Sequence, residues 1–402
     1  MADTFLTIGM ITRETVKVLE NELTFTKHVD RNYDDQFAKT GAKIGSVLNV
    51  RFPVQFVPAS GQGLILQDLT ETSVPVVLNK QYQRSFAVTS ADLALNIDDF
   101  SKRFVRKAVI SLANEIDYDG LGQYVNVYNE VGTPGTAPTT SNTYLAAGQR
   151  LNEEAAPMED RTIIMSPAQN AAIVPGLQGL FNPQKKIGDQ YEKGMMSKDT
   201  LGFNWFMDQN TRIQTVGPLG GTPLVSGANQ TGSSLVTKGW TAAAAKRLSK
   251  GDVFTLASVY AVNPQNLQST GALRQFVATA DFSSDGSGNG SVQISPPITV
   301  GGPYATVNVS PADSAAITVN GAANVSTARG LAFTEEAFVF VTADLPLYGG
   351  LDMGDRITDD QLKISMRCIR DYDINTDRAP LRIDCLGGWS TLRPNLAVRI
   401  SS

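Results

Sequence analysis

The chain has 402 residues and a formal net charge of −5, with one histidine and two cysteines. This length predicts two or three domains and is enough to bury a large core. The acidic balance argues against phosphate binding as the main activity, because nucleic-acid-binding proteins usually carry a basic patch. The first residues lack the features of a signal peptide, and no stretch approaches about 18 apolar residues, so we expect a protein made in the cytoplasm and not inserted in a membrane.

A short amphipathic helix is predicted at about residues 8–27. Its apolar residues recur at helical spacing, and charged residues surround them. The acidic members of that charged set are Glu14, Glu20 and Glu22.

A two-stranded arm is predicted next. From Leu48 to Phe56 apolar and polar residues alternate, which is the pattern of a half-buried strand. A return strand is predicted from Gln81 to Val88. Pro53 and Pro58 cannot donate to a ladder, so the hairpin must be an edge or an isolated ribbon. Isolated hairpins are only marginally stable in water, and another copy of the chain can supply the surface that covers the apolar face.

A long amphipathic helix is predicted directly after the arm, over residues 98–127. Asn96 is a suitable N-cap, and Asp98 and Asp99 place negative charge in the first turn, where the helix dipole favours it. Such a helix is about 45 Å long at 1.5 Å per residue and would form the spine of a domain. Its apolar stripe consists of Phe100, Phe104, Val105, Ala108, Val109, Leu112, Ala113 and Ile116.

The rest of the chain is predicted to be an α+β domain interrupted by a β module. A helix at 143–155, a buried strand at 161–165 and a helical turn at 167–174 come first. Residues 182–200 are polar and punctuated by glycine, which is typical of a mobile surface loop. From about 222 to 332 small and polar residues dominate, with short strands between them, and this indicates a small all-β module. Because strands return after it, we interpret the module as an insertion.

The two cysteines are interpreted as buried thiols. Cys368 and Cys385 flank a predicted hairpin, and counting outward from a tip between Thr376 and Asp377 places them opposite each other. In a reducing compartment two small buried side chains are favoured over a disulfide.

No catalytic, cofactor or metal site is predicted, and we expect no enzyme activity. The acidic turn at 371–377 lacks the glycine and the final carboxylate that a calcium loop requires. Asp281 and Asp285, among glycines, could bind a cation, but a solvated hairpin tip is favoured.

Several segments in order along the chain resemble one family. They are Lys250 to Phe254, Ile294 to Ile298, Phe338 to Pro346, Arg370 to Arg378 and Gly388 to Ile400. Together they resemble the coat proteins of tailed bacteriophages, and in particular those of short-tailed Salmonella phages. The likeness covers nearly the whole chain.

The resemblance implies a tailed-phage major capsid fold of the α+β class with an inserted small β-barrel, the I-domain. It departs from the family where Ala228 to Trp240 leaves little room for the long acidic loop of the barrel; Asp281 and Asp285 are the substitute for that possible intercapsomer loop. The implied divisions are the N-arm at 1–40, the E-loop at 41–92, the peripheral domain with the spine helix at 93–156, the axial domain at 157–222, the I-domain at 223–332 and return strands at 333–402.

The resemblance also implies the function. We expect a major capsid protein that self-assembles into hexamers and pentamers of an icosahedral shell around double-stranded DNA, in the host cytoplasm, through a scaffold-assisted procapsid that expands on packaging. The implied partners are other copies, a scaffolding protein, a portal protein and DNA without sequence specificity. The alternative is a β-rich adhesion or tail-fibre-type binding module.

Two groups of residues are predicted to make the contacts between subunits or with the scaffold. For the N-arm they are Glu14, Glu20 and Glu22, and for the E-loop they are Arg51, Phe52, Phe56, Lys80, Tyr82, Arg84 and Phe86. The charged face of the spine carries Lys102, Arg103, Arg106 and Lys107, for which a solvated, partly paired surface is favoured over contact with DNA.

Overall fold

The structure is a computed structural model that divides into two compact units. The first comprises Met1–Val50, Ser73–Leu121 and Phe338–Leu392, and the second Arg51–Thr72, Gly122–Ala337 and Arg393–Ser402. The described residues are 8–31, 47–52, 54–57, 66, 71, 73–89, 101–176, 200–347, 353–358, 363–376 and 378–402.

The first unit is built on an antiparallel sheet around one long strand. That strand pairs with one neighbour along its first edge and with two others, end to end, along its second. The central strand is β20 (Arg378–Thr391), and its neighbours are β3 (Lys80–Thr89), β19 (Ser365–Arg370) and β17 (Phe338–Ala343), with β18 (Met353–Thr358) outside β19.

Two helices cover one face of this sheet. The first helix, α1 (Ile8–Glu22), contacts β18 and β19, while α2 (Arg106–Leu121) contacts β3 and β20, and the helices contact each other. A π-helical turn, Ser101–Val105, precedes α2, and a 3-10 turn, Gly122–Asn126, follows it. The predicted spine helix is thus described over residues 101–126, and its predicted N-terminal residues, Asn96, Asp98 and Asp99, lie outside the described residues.

An aromatic cluster forms the core between the helices and the sheet. Trp389 stacks on Phe25 with ring centroids 5.3 Å apart and on Phe340 at 4.5 Å. Gly120 of α2 lies against this indole, and a Cβ at that position would come within 2.6 Å of Trp389. Only glycine therefore allows the helix to approach the sheet this closely.

The predicted arm is corrected in two respects, because the first strand ends at Arg51 rather than at Phe56 and its partner is a different strand. Residues 48–51 do form a strand, β1 (Val47–Arg51), but it pairs with β2 (Ser73–Val77) rather than with the predicted return strand at 81–88. That return strand is β3, which pairs with β20 from Lys80↔Gly387 to Thr89↔Arg378. Alternation of apolar residues indicates a strand, but it does not identify the partner.

The cysteine register is also corrected. Cys368 lies opposite Ile383 in the β19–β20 pair, and Cys385 lies opposite Tyr82. Both thiols are free and buried, as predicted, and burial raises the pKa of Cys368 to about 12. The tip of the hairpin is one residue earlier than the sequence suggested, and one residue at the tip moves the register by two.

The second unit contains a mixed sheet with helices. Its strands are ordered β4 (Glu130–Val131), β21 (Ala397–Ser401), β16 (Ser326–Phe333), β5 (Thr162–Met165) and β6 (Asn204–Met207), with β7 (Ile213–Thr215) also pairing with β16. The helices are α3 (Ser141–Glu153) and α4 (Pro167–Gly176). Of the predicted mobile loop at 182–200, only Thr200 lies among the described residues.

A small β-barrel is inserted into this sheet. Its strand order is β15 (Ile317–Val319), β11 (Val253–Val262), β12 (Ser269–Ala278), β14 (Gly290–Ile298), β9 (Gly232–Trp240) and β8 (Gly221–Val225). The Leu224–Ala316 bridge brings the last strand next to the first and nearly closes it. Two short strands that occur between the barrel strands in the sequence, β10 (Lys246–Leu248) and β13 (Phe282–Ser283), pair with each other. Because β16 belongs to the mixed sheet, the barrel strands end before the predicted boundary at 332.

Buried polar contacts attach the barrel to the rest of its unit. Arg274 of β12 pairs with Glu154 at the end of α3, and both side chains are at most 8% exposed. Arg399 of β21 donates to the Gly251 carbonyl at 2.6 Å and to Gln214 at 3.1 Å. Burial lowers the pKa of Arg399 to about 10. The barrel is therefore fixed to the sheet by directional contacts and by the apolar cluster of Tyr128, Val253 and Val277.

Candidate functional site

The basic residues predicted on the return strand contact α2 of their own chain. Lys80 Nζ lies 3.2 Å from a Glu115 oxygen and also pairs with Asp119. Arg84 donates to Glu115 at 2.8 Å and to the Ser111 hydroxyl at 2.9 Å. Both cations are only partly exposed, so these pairs join β3 to α2 within the first unit.

The aromatic residues of the same strand are also engaged within the chain. Tyr82 is 1% exposed and meets the Phe340 ring edge-on, with centroids 6.4 Å apart. Phe86 is half-buried and stacks on Phe104 at 6.3 Å. Tyr82 therefore has no exposed surface to offer a neighbouring subunit in this conformation, and its predicted interface role needs a rearrangement.

These contacts move the pKa values of the groups involved. Burial alone would raise the pKa of Glu115, but hydrogen bonds and charge from Lys80 and Arg84 outweigh burial and hold it below its ordinary value. The pKa of Tyr82 is raised, first by burial and then by the nearby charge of Asp119. At neutral pH the carboxylate is ionised and the phenol is not.

The exposed part of the predicted interface lies at residues 51–56, in the second unit. Arg51 pairs with Glu71 at 3.2 Å, although both side chains are more than half exposed. Phe52 is half-buried, with the Arg393 guanidinium 5.8 Å from its ring centroid. Phe56 is 61% exposed. The seven predicted E-loop residues are thus divided between the units, with Arg51, Phe52 and Phe56 in the second and the four residues of β3 in the first.

The N-arm helix directs cations, rather than the predicted acids, towards solvent. Its exposed charged residues are Arg13 and Lys17. The predicted contact residues Glu14, Glu20 and Glu22 are half-buried. Glu22 pairs with Arg106 of α2 at 3.6 Å, which joins the two helices. A role of these glutamates in scaffold binding stays a prediction.

The predicted intercapsomer residues stabilise their own loop. Asp281 accepts from Lys246 Nζ at 2.8 Å and from the Lys250 N–H at 2.7 Å, and these hydrogen bonds lower its pKa. Asp285 accepts the Ser287 N–H at 2.8 Å and closes a compact turn. Both carboxylates lie near the β10–β13 pair, and contact with another capsomer stays a prediction.

Sequence reasoning considered only half of a basic surface on the first unit. It identified Lys102, Arg103, Arg106 and Lys107 as a charged face of the spine. In the structure Arg103, Arg106 and Lys107 are exposed and Arg106 pairs with Glu22, while the side chain of Lys102 lies outside the described residues. It did not connect them with Arg13 and Lys17 on α1, because nothing in the sequence shows that the two helices lie side by side. The signal it could have used is the absence of any acidic residue between positions 101 and 114.

Other kinds of site find little support in the part of the chain that the structure describes. Within it, no group of three His, Cys, Asp or Glu side chains is arranged to hold a metal ion, and no helix is long and apolar enough to cross a membrane. An open groove of about 600 Å³ lies in the second unit between α3 and residues 158–161 and 201–203.

The whole chain matches one family. The sequence description of that family, P22 coat protein - gene protein 5, fits residues 1–400. This chain belongs to the P22 coat protein family. It is therefore a phage major capsid protein, with an α+β capsid fold and an inserted β-barrel. No curated protein sequence matches it.

Two solved structures are similar to this member of the P22 coat protein family over most of its length, and a third is similar to part of it. A structure from Mycobacterium phage Che8 is 12% identical over 94% of this chain and 92% of that chain, with a TM-score of 0.47. The capsid of the cyanophage P-SCSP1u is 12% identical over 89% of this chain and 83% of that one, with a TM-score of 0.41. The CUS-3 coat protein I-domain is 26% identical over 24% of this chain and 94% of that domain, with a TM-score of 0.18.

Proposed function

We propose that this major capsid protein self-assembles into an icosahedral shell that encloses the double-stranded DNA of a tailed phage, in the host cytoplasm. The family match over residues 1–400 carries the proposal. Its role is structural, because the protein acts by forming interfaces between subunits rather than by catalysing a reaction. The same match covers the β-rich segment that suggested an adhesion or tail-fibre module, so we favour the shell over that alternative.

Assembly would depend on many contacts of moderate strength. Closed symmetry multiplies each contact over the shell, while individually weak contacts let misplaced subunits leave. We propose that a scaffolding protein guides this step, that a portal protein occupies one vertex, and that the shell expands when DNA enters. Expansion would be a rearrangement of packed subunits with the arms as hinges.

The arm that would reach a neighbouring subunit, the predicted E-loop at 41–92, includes the described residues Arg51, Phe56 and Leu66. Phe56 is 61% exposed and Leu66 is 83% exposed. Large apolar side chains on the surface of an assembling protein are candidate interface anchors, because burying them in a pocket of a partner gives much of the binding energy. The salt-sensitive part of the contact would come from Arg51, which is already only loosely held by exposed Glu71.

The test combines a deletion with two substitutions. Removing residues 58–70 spares β2, whose Val76 is fully buried, and should leave a folded subunit. Electron microscopy of the chain expressed in bacteria with its scaffold should show uniform closed shells for the natural sequence and none for the deletion. Phe56→Ser with Leu66→Ser should also abolish shells, while a matched exposed pair in the barrel, Val300→Ser with Val309→Ser, should not.

Two results would contradict the proposal at different levels. If the deletion variant forms normal shells, the arm is not needed for assembly, but the proposed capsid function still holds. If the natural chain stays monomeric under every condition, even with scaffold present, the proposal that it self-assembles is wrong.

A further inference from the structure

The helices that cover the sheet of the first unit, with the π-helical turn before α2, each expose cations. On α1 the outward residues are Arg13, Lys17 and Asn21, at positions i, i+4 and i+8. On the neighbouring helix Arg103 and Lys107 are exposed. Residues four apart on a helix are about 5–6 Å apart, and packed helices lie about 8–10 Å apart. Arg13, Lys17, Arg103 and Lys107 are called the outer helical face from here on.

The two sets of cations face the same way. Thr12 of α1 is hydrogen-bonded to Cys368 in β19, and Gly120 of α2 lies against Trp389 in β20. Cys368 and Trp389 lie on one face of the sheet, since Cys368 pairs with Ile383 and residues alternate along β20. Because the inner sides of both helices pack against the same face of the sheet, their outer sides are exposed to solvent in the same direction.

Several acids of the two helices pair with cations that do not belong to the outer helical face. Glu22 pairs with Arg106, and Glu115 and Asp119 pair with Lys80. Glu14 and Glu20 are half-buried at its edge. Four exposed cations thus lie together on a chain whose formal net charge is −5.

The composition between the cations favours a nucleic acid over a protein partner. Between and beyond them on the outer sides lie Asn21, Asn114 and Tyr118, and the apolar side chains nearby among the described residues, Phe104 and Ile110, are half-buried. Protein interfaces depend on desolvated aromatic or aliphatic anchors at their centre, and this surface presents only the half-exposed Tyr118 ring. Phosphate groups are contacted by Arg, Lys, Asn and Tyr side chains without any apolar anchor.

We infer that the outer helical face binds the phosphate backbone of duplex DNA, without sequence preference. The inference rests on the proposed function, since it names the surface that meets the enclosed genome. Four cations on one surface set the affinity through counterion release, so binding is weak at physiological salt and steeply salt-dependent. A weak, sequence-independent contact holds the outermost DNA against the shell without stopping its entry.

The test measures binding of a fluorescent 30-base-pair duplex to the unassembled full chain by anisotropy between 50 and 200 mM salt. Neutralising four phosphates gives a slope of log affinity against log salt of about −3.6, or roughly a 100-fold loss over this range. The variant R13Q/K17Q/R103Q/K107Q should lose at least about tenfold in affinity at 50 mM salt and most of the slope.

A matched variant controls for net charge. K246Q/K250Q/R356Q/R378Q removes four exposed or partly exposed cations elsewhere and should keep both affinity and slope. R13K/R103K should retain binding, and equal free energies of unfolding show that the variants are folded. Unchanged affinity in the first variant would overturn the inference. So would displacement of the duplex by poly-glutamate at lower concentration than by unlabelled duplex, which would assign the face to an acidic protein.

Failure here is separate from failure of the shell. If the natural chain forms shells but binds DNA no better than R13Q/K17Q/R103Q/K107Q does, only the inference about the outer helical face falls. If the natural chain forms no shells, the capsid proposal falls whatever the DNA assay gives.

Discussion

Asp117 of α2 accepts hydrogen bonds from the residues that follow α1. Its carboxylate accepts the N–H groups of Thr24 at 2.7 Å, Phe25 at 3.2 Å and Thr26 at 3.1 Å, and also the Thr26 hydroxyl. The side chain is 2% exposed. Backbone donors buried in this way need an acceptor, and a charged one gives stronger hydrogen bonds than a neutral one. One helical residue therefore fixes the direction in which the N-arm leaves the spine.

Replacing Asp117 by alanine should lower the free energy of unfolding by about 3 kcal/mol, because buried N–H groups lose their acceptor. Urea unfolding followed by tryptophan fluorescence measures the change, since Trp389 stacks on the adjacent Phe25. Asp371→Asn, at an exposed turn, is the control and should stay within about 0.5 kcal/mol of the natural chain. An equally small effect for Asp117→Ala would show that water or a shifted backbone replaces the carboxylate.

Glu115 should make stability depend on pH. Its pKa in the folded state lies below the ordinary 4.5, because Lys80 and Arg84 outweigh burial. A carboxylate with a lowered folded-state pKa stabilises the fold above its unfolded pKa, and this contribution is lost as the pH falls through the folded-state value. The difference in unfolding free energy between the natural chain and Glu115→Gln should be present at pH 7 and shrink below about 4.5. A difference independent of pH would contradict the assignment.

At the scale of elements, periodicity predicts strands and helices but not their partners. The period of two at 48–56 and the helical spacing at 8–27 predict β1 and α1, which end earlier, at Arg51 and Glu22, and the spacing at 98–127 predicts the helical run around α2. The same pattern could not show that β3 pairs with β20, some 300 residues away in sequence. Pairing at this distance is determined by the assembled core, in which Tyr82 and Trp389 are both buried or half-buried.

The candidate sites were harder to predict than the elements. Basic and aromatic residues on an arm look like an interface, and the sequence does not reveal that Lys80 and Arg84 already have partners on α2. The outer helical face depends on the packing of two helices separated by a long arm. Phe56 is exposed, as a contact residue of an arm would be, but it lies outside the strand that its sequence pattern predicted. Surfaces are defined by what the rest of the chain leaves uncovered.

The pair Arg274–Glu154 links the barrel to α3, and its two charges are almost fully buried. Removing one partner leaves an uncompensated buried charge, which typically costs about 3–5 kcal/mol, whereas replacing both by apolar residues is often close to neutral. Glu154→Gln should therefore be much more destabilising than Glu154→Leu combined with Arg274→Met. Urea unfolding of both variants measures this, and equal losses would show that the pair is not coupled.

For the whole molecule, the important feature is how the chain enters and leaves the barrel. The Val216 N–H donates to the Val325 carbonyl at 2.9 Å, and the Asn324 N–H to the Val216 carbonyl at 3.2 Å. The two crossing points are thus hydrogen-bonded neighbours, so the mixed sheet can be continuous without the insertion. The barrel also has its own core, which includes fully buried Val225, Leu235 and Phe276. A module with close termini and a separate core can fold independently of its host.

Residues 218–323 expressed alone should therefore unfold in one cooperative urea transition, with the Trp240 environment as the probe, since that indole packs on Phe282 at 5.4 Å. The host with a short linker in place of these residues should be less stable than the natural chain, because Arg399 loses the Gly251 carbonyl and Glu154 loses Arg274. Arg399→Met in the linked host should recover part of that loss, because it removes a charge that has lost its acceptor on the barrel. A barrel that is unfolded by itself would show that its core needs the sheet, and a host of unchanged stability would show that the buried contacts are energetically neutral.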